Sequence, residues 1–565
     1  LVSLIASRAG LRPAVTGNRL ALLANDGCPW VHAGETGCLV GSLFHRHGPA
    51  LPIARLNPDE TASIKLTGGD VLIRRYWGGY VAAFETGRGV RIMRDPSAGL
   101  SCYFACAGGI TFLASDAALL VGIGVVEIDL DWAALARDLY KAGVPEIETC
   151  LGGICELMGG FALTIPGSGR QAQCWSPWDY VEQPVELDVS DQRKRLACTV
   201  RQCVRGWSAG RGRLLLSVSG GLDSSIVAAV LAGSDVTCLT MFSEDPSGDE
   251  RQYARMLCAK LGLPLIERPY NLEDIDITEP LGANLPRPRD RTQALSYERT
   301  HLEVARAVGA EAFVTGNGGD SVFGYSQSAA AVADRYLAQG LTRGTFTTLR
   351  DVCGHTGCSL LDAARAAYNI LVGPREYKPL PNRLFLDADV LAEQGRRPIS
   401  HPWLNAPQGA LPGKSAHIAW ILRVQQCLEP SRSQVLHVLN PLLSQPIMEF
   451  CLGIPSWEWR SGGRDRALAR QAFATVLPPA IIERRIKGSP GYFAGQILDR
   501  FRSQIRERIL DGNLAHHRLI DAQAISAAIQ GGRPCSDEER VRILEFVAVE
   551  AWVDHWRSHS AIEMP

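Results

Sequence analysis

Lysine is nearly missing from this sequence, with seven residues against 51 arginines in 565. A lysine in a glycine-bearing loop therefore stands out. An excess of either charge is missing too, since 58 basic residues meet 59 acidic ones. The surface then carries no excess charge to hold a polyanion non-specifically, and a nucleic-acid scaffold is not expected. No apolar run reaches the ~18–20 residues of a membrane-spanning helix; Ala117 to Val126, one of the longer ones, falls well short. The first residues, Leu1 to Arg8, lack a basic region followed by a sustained apolar stretch. These absences lead us to expect a cytoplasmic protein without membrane contact. Cysteine numbers 16 but forms no Cys-x-x-Cys pair of the kind zinc sites use; the closest pairs include Cys353/Cys358, with His355 between them. Reduced thiols used as small hydrophobes are expected, not a disulfide scaffold.

At roughly 100–200 residues per domain, the length favours two to four domains, and hydrophobic residues at 46% supply a large core. Up to about residue 187 the pattern is short and β-like: Val71–Trp77, Tyr80–Phe84, Gly89–Met93 and Ile110–Leu113, separated by Gly, Asp and Pro turn signals. After the turn-rich stretch Pro166–Arg170 and Ser176-Pro177-Trp178, the periods lengthen toward helices, which puts a boundary near 185. From Arg213 strand and helix alternate. Strands are expected at Arg213–Val218, Val236–Phe242, Leu265–Ile266 and Ala312–Thr315, with helices at Ser225–Leu231, Glu250–Leu261 and Tyr297–Val308. That order predicts an α/β fold with a doubly wound parallel sheet and ligands at the C-terminal strand ends. Beyond Pro441 helices dominate, ending in Glu539–Trp556, whose Leu544, Phe546, Val547, Trp552 and Trp556 read as core. The topology of 326–440 is not readable.

Two loops carry chemistry. Ser219-Gly220-Gly221-Leu222-Asp223-Ser224-Ser225 lies between a buried strand and a helix, where glycines let backbone approach a phosphate and the helix start donates N–H groups to it. Lacking the Lys of the common ATPase loop and carrying an Asp, it suits a magnesium-bound pyrophosphate leaving group. Thr315-Gly316-Asn317-Gly318-Gly319-Asp320 ends the fourth predicted strand and offers a second Asp.

Together these loops resemble the synthetase domain of the asparagine synthetase and β-lactam synthetase superfamily, which adenylates a carboxylate with ATP and lets an amine attack it. Ser243–Glu250, Pro441–Leu443, Gly462–Arg470 and Arg485-Ile486-Lys487-Gly488 resemble its further elements. Arg94–Ser97 and Phe112–Asp116 resemble its glutaminase-like, Ntn-type β-sandwich. The resemblance implies a glutaminase-like domain over 1–185 and an adenylating, cyclising ATP-pyrophosphatase domain with a helical C-terminal part over 186–565. It implies ATP and Mg²⁺ as cofactors, Asp223 and Asp320 as metal ligands, and a pyrophosphate site of Ser219, Gly220, Gly221, Asp223 and Ser224. Val218, Met241 and Gly316 would line adenine and ribose. Arg466 stands where the family has a Lys on the leaving phosphates, and Lys487 matches the Lys that stabilises charge as the acyl-adenylate forms.

Two departures narrow the substrate. Leu1 and Val2 stand where glutaminase chemistry needs an N-terminal nucleophile, so the first domain is expected to be inactive. Asn317, in the catalytic set with Arg466 and Lys487, stands where asparagine synthetases carry an acid and β-lactam synthetases a Tyr, and an amide is no conventional base. Asp351 is a candidate base by distance along the chain only. His401-Pro402-Trp403-Leu404, Leu411-Pro412-Gly413-Lys414 with His417, and Asn440–Pro446 resemble lasso-peptide cyclases. That branch implies macrolactam formation on a core peptide, with a leader peptidase and a small leader-binding protein as partners. A small-molecule amide synthetase and a non-catalytic precursor-binding scaffold are the alternatives.

Overall fold

The structure is a computed structural model that describes residues 2–34, 37–141, 143–167, 169–245, 248–289, 291–425, 431–485, 491–530 and 535–560. Its N-terminal third is β-rich. A hairpin, β1 (Arg12–Thr16) and β2 (Ala21–Ala24), precedes an antiparallel six-stranded sheet. That sheet contains β3 (Trp30–His32), β4 (Gly37–His45), β5 (Tyr76–Thr86) and β6 (Gly89–Arg94). A separate three-stranded sheet has β7 (Tyr103–Ala107) between β8 (Ile110–Ala114) and β9 (Cys155–Glu156). With β10 (Phe161–Ile165) and β11 (Ala172–Gln173), the larger sheet runs β11-β10-β6-β5-β4-β3.

Sequence reading misjudged one of these segments. Val71–Trp77 reads as a strand, yet Asp70–Arg75 is helical and the strand begins at Tyr76. Val71, Leu72 and Ile73 are all buried, and three consecutive apolar residues can be covered on a short helix as well as on a strand. Packing overrides their β preference.

The C-terminal part is built on a five-stranded parallel sheet: β12 (Leu214–Ser217), β13 (Val236–Phe242), β14 (Leu265–Pro269), β15 (Ala312–Val314) and β16 (His437–Leu439). The order is β14-β13-β12-β15-β16. In register, Leu216 lies between Cys238 and Val314. The apolar run of β12 serves two faces: Leu214 and Leu216 join the main core, while Leu215 packs with Val304 and Phe313 on the other side. Helices Leu222–Leu231, Arg251–Leu261 and Ala294–Val308 flank the sheet. The strand β16 was hidden in the unreadable middle, which is otherwise mostly helical.

The two parts share cores. Trp207, from the helix Val189–Ser208, packs on Phe44 and Trp77 of β4 and β5 at ring-centroid distances of 5.4 and 6.2 Å. On β7, alternate residues face different partners. Phe104 joins the core of the larger sheet, whereas Tyr103 and Ala105 join a second cluster with Leu544, Val547, Trp552 and Trp556. Those last four belong to the final helix, Asp537–Ser560, whose Trp552 indole donates to Leu285 O at 3.1 Å. Among the described residues no disulfide forms and no helix is long and apolar enough to cross a membrane.

Candidate active site

The strand-to-turn-to-helix passage at Ser217–Leu222 is set by one glycine. Gly220 has φ +61°, and a Cβ there would lie 2.3 Å from the Tyr253 Cβ, so no other residue lets the loop pass the helix Arg251–Leu261 so closely. Beyond it, Gly221 caps the helix Leu222–Leu231, with Asp223 in its first turn. The second loop interlocks with the first. A Cβ on Gly316 would meet Ser224 N at 2.5 Å, and one on Gly319 would meet Asp223 Cγ at 2.4 Å. Thr315 pins this loop by donating its hydroxyl to Asn440 Oδ1 at 2.6 Å and accepting from Asn317 N at 3.1 Å.

The loops open onto a cleft of about 1020 Å³ at the C-terminal end of the parallel sheet. Val218, Ser219, Gly221, Asp223, Ser224, Met241, Gly316, Asn317, Asp320 and Arg466 all line it. Gly220 shapes the loop without lining the cleft, and Lys487 lies outside the described residues. Asp351 does not line it either. Its carboxylate accepts from the backbone of Gly462 and Gly463, and burial holds its pKa above the ordinary value. A candidate base by chain distance is therefore a clamp on the loop that leads to Arg466.

Arg466 is the electrostatic centre. One of its terminal nitrogens contacts Asp223 Oδ2 at 3.0 Å and also Asp320, while Nε donates to Asp465 Oδ2 at 2.7 Å. Burial opposes its charge, but Asp223, Asp320 and Asp465 outweigh burial and raise its pKa. Asp465 also accepts from Arg470 at 2.8 Å. Arg466 itself has φ +50°, a left-handed conformation uncommon for a side-chain-bearing residue, just before the helix Ala467–Phe473. Strain is thus held at the residue that joins both loop carboxylates.

Sequence reasoning missed several residues of the cleft. Arg484 donates to Gly220 O at 3.0 Å and to Ser219 O at 3.3 Å, pairs with Glu250, and lies 4.1 Å over the Tyr253 ring. Its signal was the basic run Arg484-Arg485, overshadowed by Lys487. Tyr297 and His301 also line the cleft, and helical spacing alone marks them as one face of a packed helix.

The donor set fits an anionic nucleotide with a hard divalent cation. It comprises two facing carboxylates, serine hydroxyls, a helix start and glycine backbone. Among the described residues no cluster of three or more His, Cys, Asp or Glu could hold a metal by itself, so a cation here would share its ligands with phosphate oxygens. The asparagine synthase family matches residues 195–554.

The chain belongs to the asparagine synthase family. Its general chemistry is ATP-dependent amide-bond formation, and the matched span contains both loops, Arg466 and Lys487. No curated protein matches the chain. It is similar to a solved allosteric regulatory enzyme of purine biosynthesis at 11% identity, over 51% of this chain and 70% of the other, with a TM-score of 0.17. It is also similar to glutamine phosphoribosylpyrophosphate amidotransferase from B. subtilis, solved with ADP and GMP, at 10% identity, over 51% and 72%, with a TM-score of 0.17.

Proposed function

We propose that this member of the family closes a macrolactam on a ribosomal core peptide, as a lasso-peptide cyclase. The supporting observation is a second cavity of about 830 Å³ that shares Asp320, Ser321, Tyr325 and Gln327 with the nucleotide cleft. Its far wall comes from the middle segment, including Arg375, Tyr377, Lys378 and Trp420. Whole small-molecule ligands occupy clefts of roughly 300–1,000 Å³. A cavity of that size, added to one already suited to ATP, has room for several peptide residues.

In this reading Asp223 and Asp320 are the residues that would hold Mg²⁺, which would supply charge neutralisation to the pyrophosphate. The loop Ser219–Ser224 cradles the β and γ phosphates, and Arg466, held by three carboxylates, faces the leaving group. An Asp or Glu side chain of the peptide attacks the α-phosphorus and pyrophosphate leaves. The peptide's N-terminal amine then attacks the activated carbonyl, loses a proton to solvent or phosphate, and AMP leaves. Lys487 stabilises the charge that develops in both steps. The N-terminal 185 residues form a glutaminase-like domain, and the partners are the core peptide, a leader peptidase and a small leader-binding protein.

The test combines protein, ATP, Mg²⁺, core peptide and peptidase. The expected product has lost one water and resists carboxypeptidase. ATP turnover with aspartate or a β-amino acid, and none with peptide, would move the function to a small-molecule synthetase.

A further inference from the structure

The cleft has a polar relay that the phosphate chemistry does not use. Ser217, at the C-terminal end of β12, contacts the Tyr297 hydroxyl at 2.6 Å and His301 Nε2. His301 Nδ1 lies 2.8 Å from the Tyr297 carbonyl. His301 is 2% exposed, and burial, reinforced by Arg432, lowers its pKa to about 3. The ring is therefore neutral.

Every proton in this relay has one possible place. A carbonyl oxygen only accepts, so Nδ1 carries the imidazole proton and Nε2 is an acceptor. Ser217 must then donate to Nε2, which leaves its oxygen to accept from Tyr297. The direction runs Tyr297 to Ser217 to His301. With its only proton committed, the Tyr297 oxygen can present nothing but lone pairs to the cleft it lines. It is half-buried, whereas the imidazole behind it is closed off.

We infer that the Tyr297 oxygen is a fixed acceptor that reads an amino group on the purine base, making Tyr297 a specificity-determining residue with Ser217 and His301 as its positioning residues. This rests on the ATP-dependent reading of the cleft. Aromatic rings line the same cleft: Tyr270 stacks on Phe493 at 5.1 Å, and both line it together with Met241 and Tyr297. Adenine carries a 6-amino donor and hypoxanthine a 6-oxo acceptor. The second would set lone pairs against lone pairs, and a site built for one hydrogen-bonding sense rejects the other strongly.

The experiment titrates the full chain, with Mg²⁺, against ATP, purine riboside triphosphate, inosine triphosphate and 2′- and 3′-deoxy-ATP by calorimetry. The expected wild-type order is ATP, then purine riboside triphosphate about 5–10-fold weaker, then inosine triphosphate at least ~100-fold weaker. Tyr297→Phe should bring ATP down to the purine analogue. Ser217→Ala frees the tyrosine proton to turn into the cleft, so inosine triphosphate should gain on ATP, which a merely structural role would not produce. Inosine triphosphate bound as tightly as ATP overturns the assignment. So does a Tyr297→Phe penalty that vanishes with a deoxy-ATP, because the tyrosine would then be reading ribose. Failure of every purine nucleotide to bind overturns the ATP reading and the assignment with it.

Discussion

Asp223 and Asp320 face one guanidinium across two loops, and each replacement by asparagine keeps the shape while removing a charge. Removing one preorganised charge from a transition state costs ~3–4 kcal/mol, about 10²–10³ in rate. Asp223→Asn and Asp320→Asn should lose at least that in pyrophosphate release, with circular dichroism unchanged; activity within a factor of ten of wild type would contradict their assignment. Lys487→Ala should show a loss of the same size in turnover while ATP affinity barely moves. An affinity loss equal to the rate loss would make Lys487 a ground-state phosphate ligand instead.

Between elements, the decisive contacts are glycine against backbone. Gly316→Ala pushes a methyl into Ser224 N, which is main chain at the start of a helix and cannot swing aside. Overpacking of this kind costs about 1–3 kcal/mol and parts the two loops, so Gly316→Ala should lower both Tm and nucleotide affinity. Gly309→Ala, whose Cβ meets nothing within 4 Å but whose φ is +66°, should lower Tm without touching affinity. Equal loss of affinity in both variants would contradict the interlock. The loops were legible because strand, glycine turn and helix follow one another within a dozen residues. The alternation from Leu214 to Val314 was legible for the same reason, since buried parallel strands and amphipathic helices carry strong local periods. The three residues of β16, His437–Leu439, were not. They are too short to show a period, and only pairing with β15 makes them a strand. Arg466 was assigned from its motif, but its bridging of Asp223 and Asp320 is a contact across 243 and 146 residues of chain that no local pattern carries.

Across the whole molecule, the β-rich N-terminal part is tied to the synthetase part by buried charge. Glu156 of β9 contacts Arg94 at 2.9 Å and also Arg287. Burial alone would raise its pKa, but Arg287 and Arg94 win and lower it to about 2 from 4.5. A depressed folded pKa means stability that is present above the unfolded value and lost as pH falls through the folded one. The window therefore runs from about pH 4.5 down to 2, and the contribution is on the order of 3 kcal/mol. Denaturant unfolding of Glu156→Gln should show a deficit against wild type at pH 7 that shrinks across that window; a deficit constant with pH would contradict the linkage. The change of pattern near residue 185 is a local feature of the sequence, whereas the final helix, Asp537–Ser560, shares a core with Tyr103 and Ala105 of β7. Sequence order shows where the pattern changes, but not which faces meet. The central claim is that the cleft joins a peptide carboxylate to an amine through its adenylate. It is tested most directly by a core peptide whose ring-forming side-chain carboxylate carries two ¹⁸O atoms. One ¹⁸O is expected in the phosphate of the AMP released and one in the new amide. Unlabelled AMP, or ADP with ¹⁸O in orthophosphate, would contradict it.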